Sequence, residues 1–187
     1  MQRHGARTRA GNLLGALAVG VYDRLERETE AAAGHTGRRA AALTNLAQWP
    51  GDTIEELRHM LGLTHSATVR VVDGLAADGL VERVRVGGGP AVRPTLTEPG
   101  EADARRVLDA RNDLLQWLVG HLSDEEIASL TALSERLLGA MTDGFNAGEL
   151  ICRLCELEAC PQDRCPVTDR QRLFTSARDS SPPRAGG

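Results

Sequence analysis

The chain has 187 residues, enough for one domain with a buried core and appendages, and only 3% of them are aromatic. Its apolar residues are mostly Leu, Ala and Val, a mixture that favours helices. All 22 basic residues are Arg, and the net charge of −4 excludes a global attraction to nucleic acid or to an acidic membrane. Any DNA binding must therefore rest on a local basic face.

At the N-terminus Arg3, Arg7 and Arg9 precede the apolar run Leu13 to Val21 and imitate an export signal. No small-residue cleavage site follows. The spacing Leu14, Leu17, Val21, Leu25 carries on into charged sequence, as in an amphipathic helix. The run is also shorter than the roughly 20 apolar residues that span a bilayer. This predicts no membrane association and a cytoplasmic location, where clustered cysteines more often bind metal or act as redox thiols than form structural disulfides.

A helix is expected over 11–33, ended by the Gly34 to Gly37 segment, with a short second helix over 38–49 stopped by Trp49, Pro50 and Gly51. Thr53 and Glu56 then form a capping box that opens a third helix, which ends at Gly62. Thr64 is a natural N-cap for a fourth. Two short helices across a tight glycine turn make a helix-turn-helix. Helical spacing puts Val69, Val72 and Ala76 on the inner face of the fourth helix and Ser66, Arg70 and Ala77 on the outer face. The outer face is small, polar and positive, which suits a major groove.

Residues 80–86 alternate in strand fashion, Gly87-Gly88-Gly89-Pro90 must turn, and 91–97 returns as a second strand. A β-hairpin directly after a helix-turn-helix is a winged helix. Arg83 and Arg85, with Arg93 on the return strand, would supply outward charge to the phosphate backbone. A long helix follows from Glu98-Pro99-Gly100 to about 120. The Ser123 to Glu126 capping box then opens another, with Ile127, Leu130, Leu133, Leu137 and Leu138 on its apolar side. Long helices flanking so small a winged core need a further surface to bury against, and a partner chain would provide it.

The expected fold is mainly α with a small β-hairpin wing. Its parts are an N-terminal dimerisation helix (1–37), a winged helix-turn-helix (38–97), C-terminal dimerisation helices (98–143), a four-cysteine module (144–169) and a disordered tail (170–187). This order, with LGLTHSATVRVVDGLAADGLVERV (61–84), TLTEPG (95–100) and LSDEEIASLTALSERLL (122–138), resembles the MarR (multiple antibiotic resistance regulator) family over roughly residues 11–142. The resemblance implies a homodimeric transcription regulator, usually a repressor, whose paired recognition helices read a near-palindromic double-stranded operator. It places Thr64, His65, Ser66, Thr68 and Arg70 at DNA, and it implies a possible small aromatic effector between the dimerisation helices and the winged core. The family usually carries an acidic residue and an Arg at the wing tip. Here the tip is glycine-rich, so Arg85 or Arg93 must substitute or the wing contacts only the backbone.

The chain's four cysteines, Cys152, Cys155, Cys160 and Cys165, lie together as CxxCxxxxCxxxxC. On a helix Cys152 and Cys155 share a face, and Pro161 and Pro166 put the second pair on a folded-back loop. The spacing is similar to that of a zinc knuckle with Cys160 in place of the His. Zinc suits four thiolates. An iron–sulfur cluster, or no metal and redox-active thiols with Cys152 and Cys155 as the pair, are the alternatives. No nucleophile elbow, phosphate loop or HExxH points to an enzyme. The competing class is a dithiol redox or iron–sulfur sensor whose winged helix mediates protein contact.

Overall fold

The computed structural model describes residues 2–85, 92–160 and 163–179. In chain order its elements are α1 (Gln2–Ala33), α2 (Gly37–Gln48), α3 (Ile54–Leu61), α4 (His65–Ala77), β1 (Val81–Arg85), β2 (Val92–Leu96), α5 (Glu98–Val119), α6 (Asp124–Met141), α7 (Phe145–Cys152) and α8 (Pro166–Asp179). The expected mainly helical fold with a two-stranded antiparallel hairpin is present. The turn expected at Gly87 to Pro90 lies outside the described residues. No described helix is long and apolar enough to cross a membrane.

The helix starts follow local chemistry. Thr53 accepts the Glu56 amide while the Glu56 carboxylate takes the Thr53 amide at 2.7 Å, and Ser123 and Glu126 repeat the arrangement at α6. Thr64 caps α4 and Thr97 caps α5, with Pro99 in the first turn. Gly62 ends α3 in the left-handed region, at φ 61°, where a side chain would be strained.

Leu57 and Leu61 of α3 and Val72 and Leu75 of α4 pack with Ala41, Ala42, Leu43 and Leu46 of α2, and with Leu80, Val81 and Ala104. Each buried leucine contributes about 1.5–3 kcal/mol, so this small cluster carries most of the winged domain. The wing is tied to the next helix by one close approach. The Leu80 carbonyl accepts the Thr97 amide at 3.0 Å, and Gly100 passes so near that a Cβ there would lie 1.9 Å from that oxygen. On the far side, His35 Nε2 meets the buried Asp103 carboxylate at 3.1 Å and joins the α1–α2 turn to α5.

Three expectations change. Helix α1 starts well before residue 11. Residues 145–152, expected within the four-cysteine module, form the separate helix α7, and residues 170–179, expected as tail, belong to α8. Position 165 supplies the cap that starts this last helix, with the Asp169 amide bonding the Cys165 carbonyl at 2.9 Å.

Gly100→Ala would gain up to about 1 kcal/mol of helix propensity. It would lose more by forcing a methyl into the Leu80 carbonyl, so a net loss of about 3 kcal/mol is expected in urea unfolding. Asp52, in the α2–α3 loop, has its pKa raised to about 6, first by burial and then by Glu56, with Arg93 opposing. Its folded pKa exceeds its unfolded one, so its contribution is full below about pH 4 and is lost as pH rises through 6. Asp52→Asn should therefore raise Tm at pH 7.5 by more than at pH 5; equal shifts would contradict this.

Candidate nucleic-acid interface and cysteine module

Helix α4 presents Ser66, Arg70, Asp73 and Ala77 to solvent, beginning at the exposed Thr64 and His65. Thr64, His65, Ser66 and Arg70 are thus brought together at one accessible end, where the helix dipole also favours a phosphate. Thr68 is not with them. It is fully buried, and its hydroxyl donates to the Thr64 carbonyl at 3.1 Å, which satisfies it inside the core. The inner face is Thr68, Val72 and Leu75 rather than the predicted Val69, Val72 and Ala76.

Around this end lies an ion-pair cluster. Arg58 donates to both Glu55 oxygens, at 2.8 and 2.6 Å, and holds the Glu55 carboxyl down at about 2. His59 and His65 stand 3.3 and 3.8 Å from the same carboxylate. Glu55 therefore remains an anion beside the interface.

The wing register pairs Arg83 with Pro94, Val84 with Arg93 and Arg85 with Val92. Side chains alternate along a strand, so Arg83 and Arg85 share one face and Arg93 lies on the other. Arg83 bonds Asp73 of α4 at 2.6 Å, and Arg85 is exposed at the end of β1. Arg93 was expected to point outward. Instead it turns inward, donating to the Gly51 carbonyl at 2.6 Å with its Nε buried. It ties the wing to the α2–α3 loop and is not displayed to a ligand.

The cysteines occupy the end of α7, a turn, and the start of α8. Cys152 is the last residue of α7, and its carbonyl accepts the Cys155 amide at 2.8 Å. The Cys152 thiol donates to Cys155. That donation, with Arg111 and Arg153 nearby, brings Cys155 down to about 6 against the effect of burial, while Cys152 is pushed up. Cys160 and Cys165 form a second hydrogen-bonded pair, and burial raises Cys160 to about 11. Burial also acts to raise Cys165, but the Thr168 amide and hydroxyl and the Val167 amide donate to its sulfur and hold its pKa below the usual thiol value. As positioned, the thiols stand as two pairs. Among the described residues no three or more His, Cys, Asp or Glu side chains form a set that could hold a metal ion.

This module is clamped to the winged core, which the sequence did not indicate. Asn45 donates to the Arg153 carbonyl at 2.8 Å; Gln48 donates to the Cys155 carbonyl at 2.9 Å and accepts the Leu157 amide at 2.8 Å. Asn112 of α5 donates to Glu156 at 2.8 Å. Leu150 of α7 covers the helix-turn-helix turn so closely that a Cβ on Gly62 would stand 2.9 Å from its methyl. Asp73, too, was missed as the partner of Arg83; its spacing from Arg70 on the outer face was the available signal.

Residues 33–89 match the model of the MarR family. Comparison with curated proteins gave no match. A MarR family protein from Bacillus stearothermophilus superposes with a TM-score of 0.64 at 30% identity, over 76% of this chain and 99% of that one. Wild-type MarR from E. coli gives 0.53 at 26% identity over 67% and 96%. MepR, a transcription regulator of the Staphylococcus aureus multidrug efflux pump MepA, shares the fold at 0.60 and 20% identity over 70% and 96%. With the winged core, its flanking helices and nearly the whole of a 30%-identical relative accounted for, the chain belongs to the MarR family of transcription regulators.

Proposed function

We propose that the protein is a homodimeric repressor that occludes a near-palindromic operator, reading each half-site with α4. The observation that carries this reading is the exposed row Thr64, His65, Ser66 and Arg70, held on a helix whose opposite face is fully buried. Arg can pair with a guanine edge, and the short hydroxyls can contact bases or phosphates. Arg85 supplies a backbone phosphate contact from the wing, the role that Arg93 is turned away from filling.

Dimerisation is supported by apolar surface that stays exposed among the described residues. Leu13, Leu14 and Leu17 of α1 are 53%, 51% and 54% exposed, and α6 buries none of its residues, with Leu133 at 56% and Leu137 at 46%. Such stripes on long helices need a second copy to cover them. Two recognition helices about 34 Å apart would then meet successive major grooves. A small aromatic effector would sit in the hollow between α1 and α5 lined by Arg24, Glu28, Ala32, Asp113, Leu114 and Trp117, where Arg24 already lies 4.5 Å over the Trp117 ring.

Selection from a random duplex library, followed by fluorescence anisotropy on the winning site, tests the reading. A near-palindromic consensus is expected. Weak, salt-sensitive binding without a consensus would instead favour the sensor whose winged helix contacts protein. Arg70→Ala should lose about 1–3 kcal/mol, roughly 10- to 100-fold in affinity, and relax one base position. Arg85→Ala should weaken all sequences alike and flatten the salt dependence by about one ion. In sedimentation, Leu133→Arg combined with Leu137→Arg should yield monomers that retain helical circular dichroism; a persistent dimer would place the interface elsewhere.

A further inference from the structure

We propose that Cys152, Cys155, Cys160 and Cys165 are the donors of one tetrahedral thiolate site for a zinc-class divalent cation, and that filling it secures α7 and α8 against the helix-turn-helix. This goes beyond the regulator reading and does not depend on it.

The chain concentrates all its cysteines in this one module, and the fold gathers them from three places: a helix end, a turn and a helix start. Cys152 contacts Cys155, Cys160 contacts Cys165, and Cys152 also lies within electrostatic reach of both members of the other pair. A tetrahedral ion takes two ligands from each of two such pairs. Moving from paired thiols to a shared ion asks the pairs to swing together and releases the protons still held on sulfur.

Two further features fit a thiolate shell. Four thiolates around a divalent cation leave a net charge of −2, and the guanidinium groups of Arg111 and Arg153 lie beside Cys155 to offset it. The amides of Val167 and Thr168 already point at the Cys165 sulfur, as donors to a metal-bound thiolate do. Among the described residues, 153–160 and 163–165 carry no helix or strand, and the stretch has only Leu154 and Leu157 as large apolar side chains, so burial alone offers little to offset the entropy of ordering it. It nevertheless presents the backbone groups that Asn45 and Gln48 bind. One ion tying both ends of this stretch would hold those groups, and with them Leu150 on Gly62, in place.

The test uses the full-length chain, purified under argon, stripped with a chelator and titrated with Co²⁺ alone. The expected result is saturation at one Co²⁺ per chain, with the ligand-field and sulfur charge-transfer bands of a tetrahedral thiolate complex and displacement by one equivalent of Zn²⁺. Zn²⁺ should also raise the Tm of the stripped protein and slow hydrogen exchange in α7 and in the turn at Gly62. Cys155→Ser and Cys165→Ser should each lose the bands, with circular dichroism confirming that the winged core stays folded. Absence of these bands at saturating Co²⁺, or iron with labile sulfide in the unstripped protein, overturns the site. Unchanged exchange at the turn on Zn²⁺ loading overturns its link to the helix-turn-helix. None of these readouts involves DNA, so failure here is distinguishable from failure of the repressor reading.

Discussion

Everything else is arranged around a helix that has no outside. Residues Ala40 to Leu46 of α2 are buried consecutively, almost two full turns, so every face of the helix has to be covered by something else. The sequence makes this feasible with three alanines, which let neighbours approach closely, and two leucines, which fill the remaining space. Helices α3, α4 and α5 and strand β2 pack against it, and each is thereby fixed relative to the others. Helix α4 inherits its rigidity from this arrangement. Its inner residues Val72 and Leu75 are completely buried in the same cluster, so its outer residues project from a surface that cannot roll.

A helix buried all round cannot leave polar side chains unpaired, because each orphaned buried group costs about 1–3 kcal/mol. Thr44 and Asn45 are both buried in α2. Thr44 bonds back to the Ala41 carbonyl at 3.1 Å, and Asn45 shares its amide between Ala41 and Arg153. Gln48, one turn on, takes the Cys155 carbonyl and the Leu157 amide together. The cysteine module is therefore a further wall of the central helix, beside α3, α4, α5 and β2.

How far the sequence disclosed this depends on the range of the forces involved. Capping boxes are decided within four residues, so Thr53 with Glu56 and Ser123 with Glu126 could be read directly. The helix-turn-helix and wing followed from such signals in series, as did the exposed positions of Ser66 and Arg70. The inner face of α4 was read one residue out of phase because Thr68 looks polar; its bond to the Thr64 carbonyl removes that cost locally and admits it to the core. Arg93 was misjudged for a different reason. Which side of a hairpin a residue occupies depends on register, and a one-residue difference inverts it. The clamp on α2 was beyond reach altogether, since Gln48 and Leu157 are 109 positions apart and nothing local marks either as the other's partner.

Helix α8 joins the two halves of the molecule. It packs against α7, which sits on the turn before α4, and also against α6, whose leucines stand exposed. In a dimer closed through α1 and α6, a shift of α8 would be felt both at the interface between the protomers and at the turn that aims α4. The spacing of the two copies of α4 in such a dimer would depend on those same two joints. A regulator of this fold needs a signal to reach that spacing, and small changes suffice because packed helices settle into discrete arrangements. The thiols lie where α7 ends and α8 begins, so an ion bound among them, as proposed above, would act at the junction common to both joints rather than at the far end of either helix.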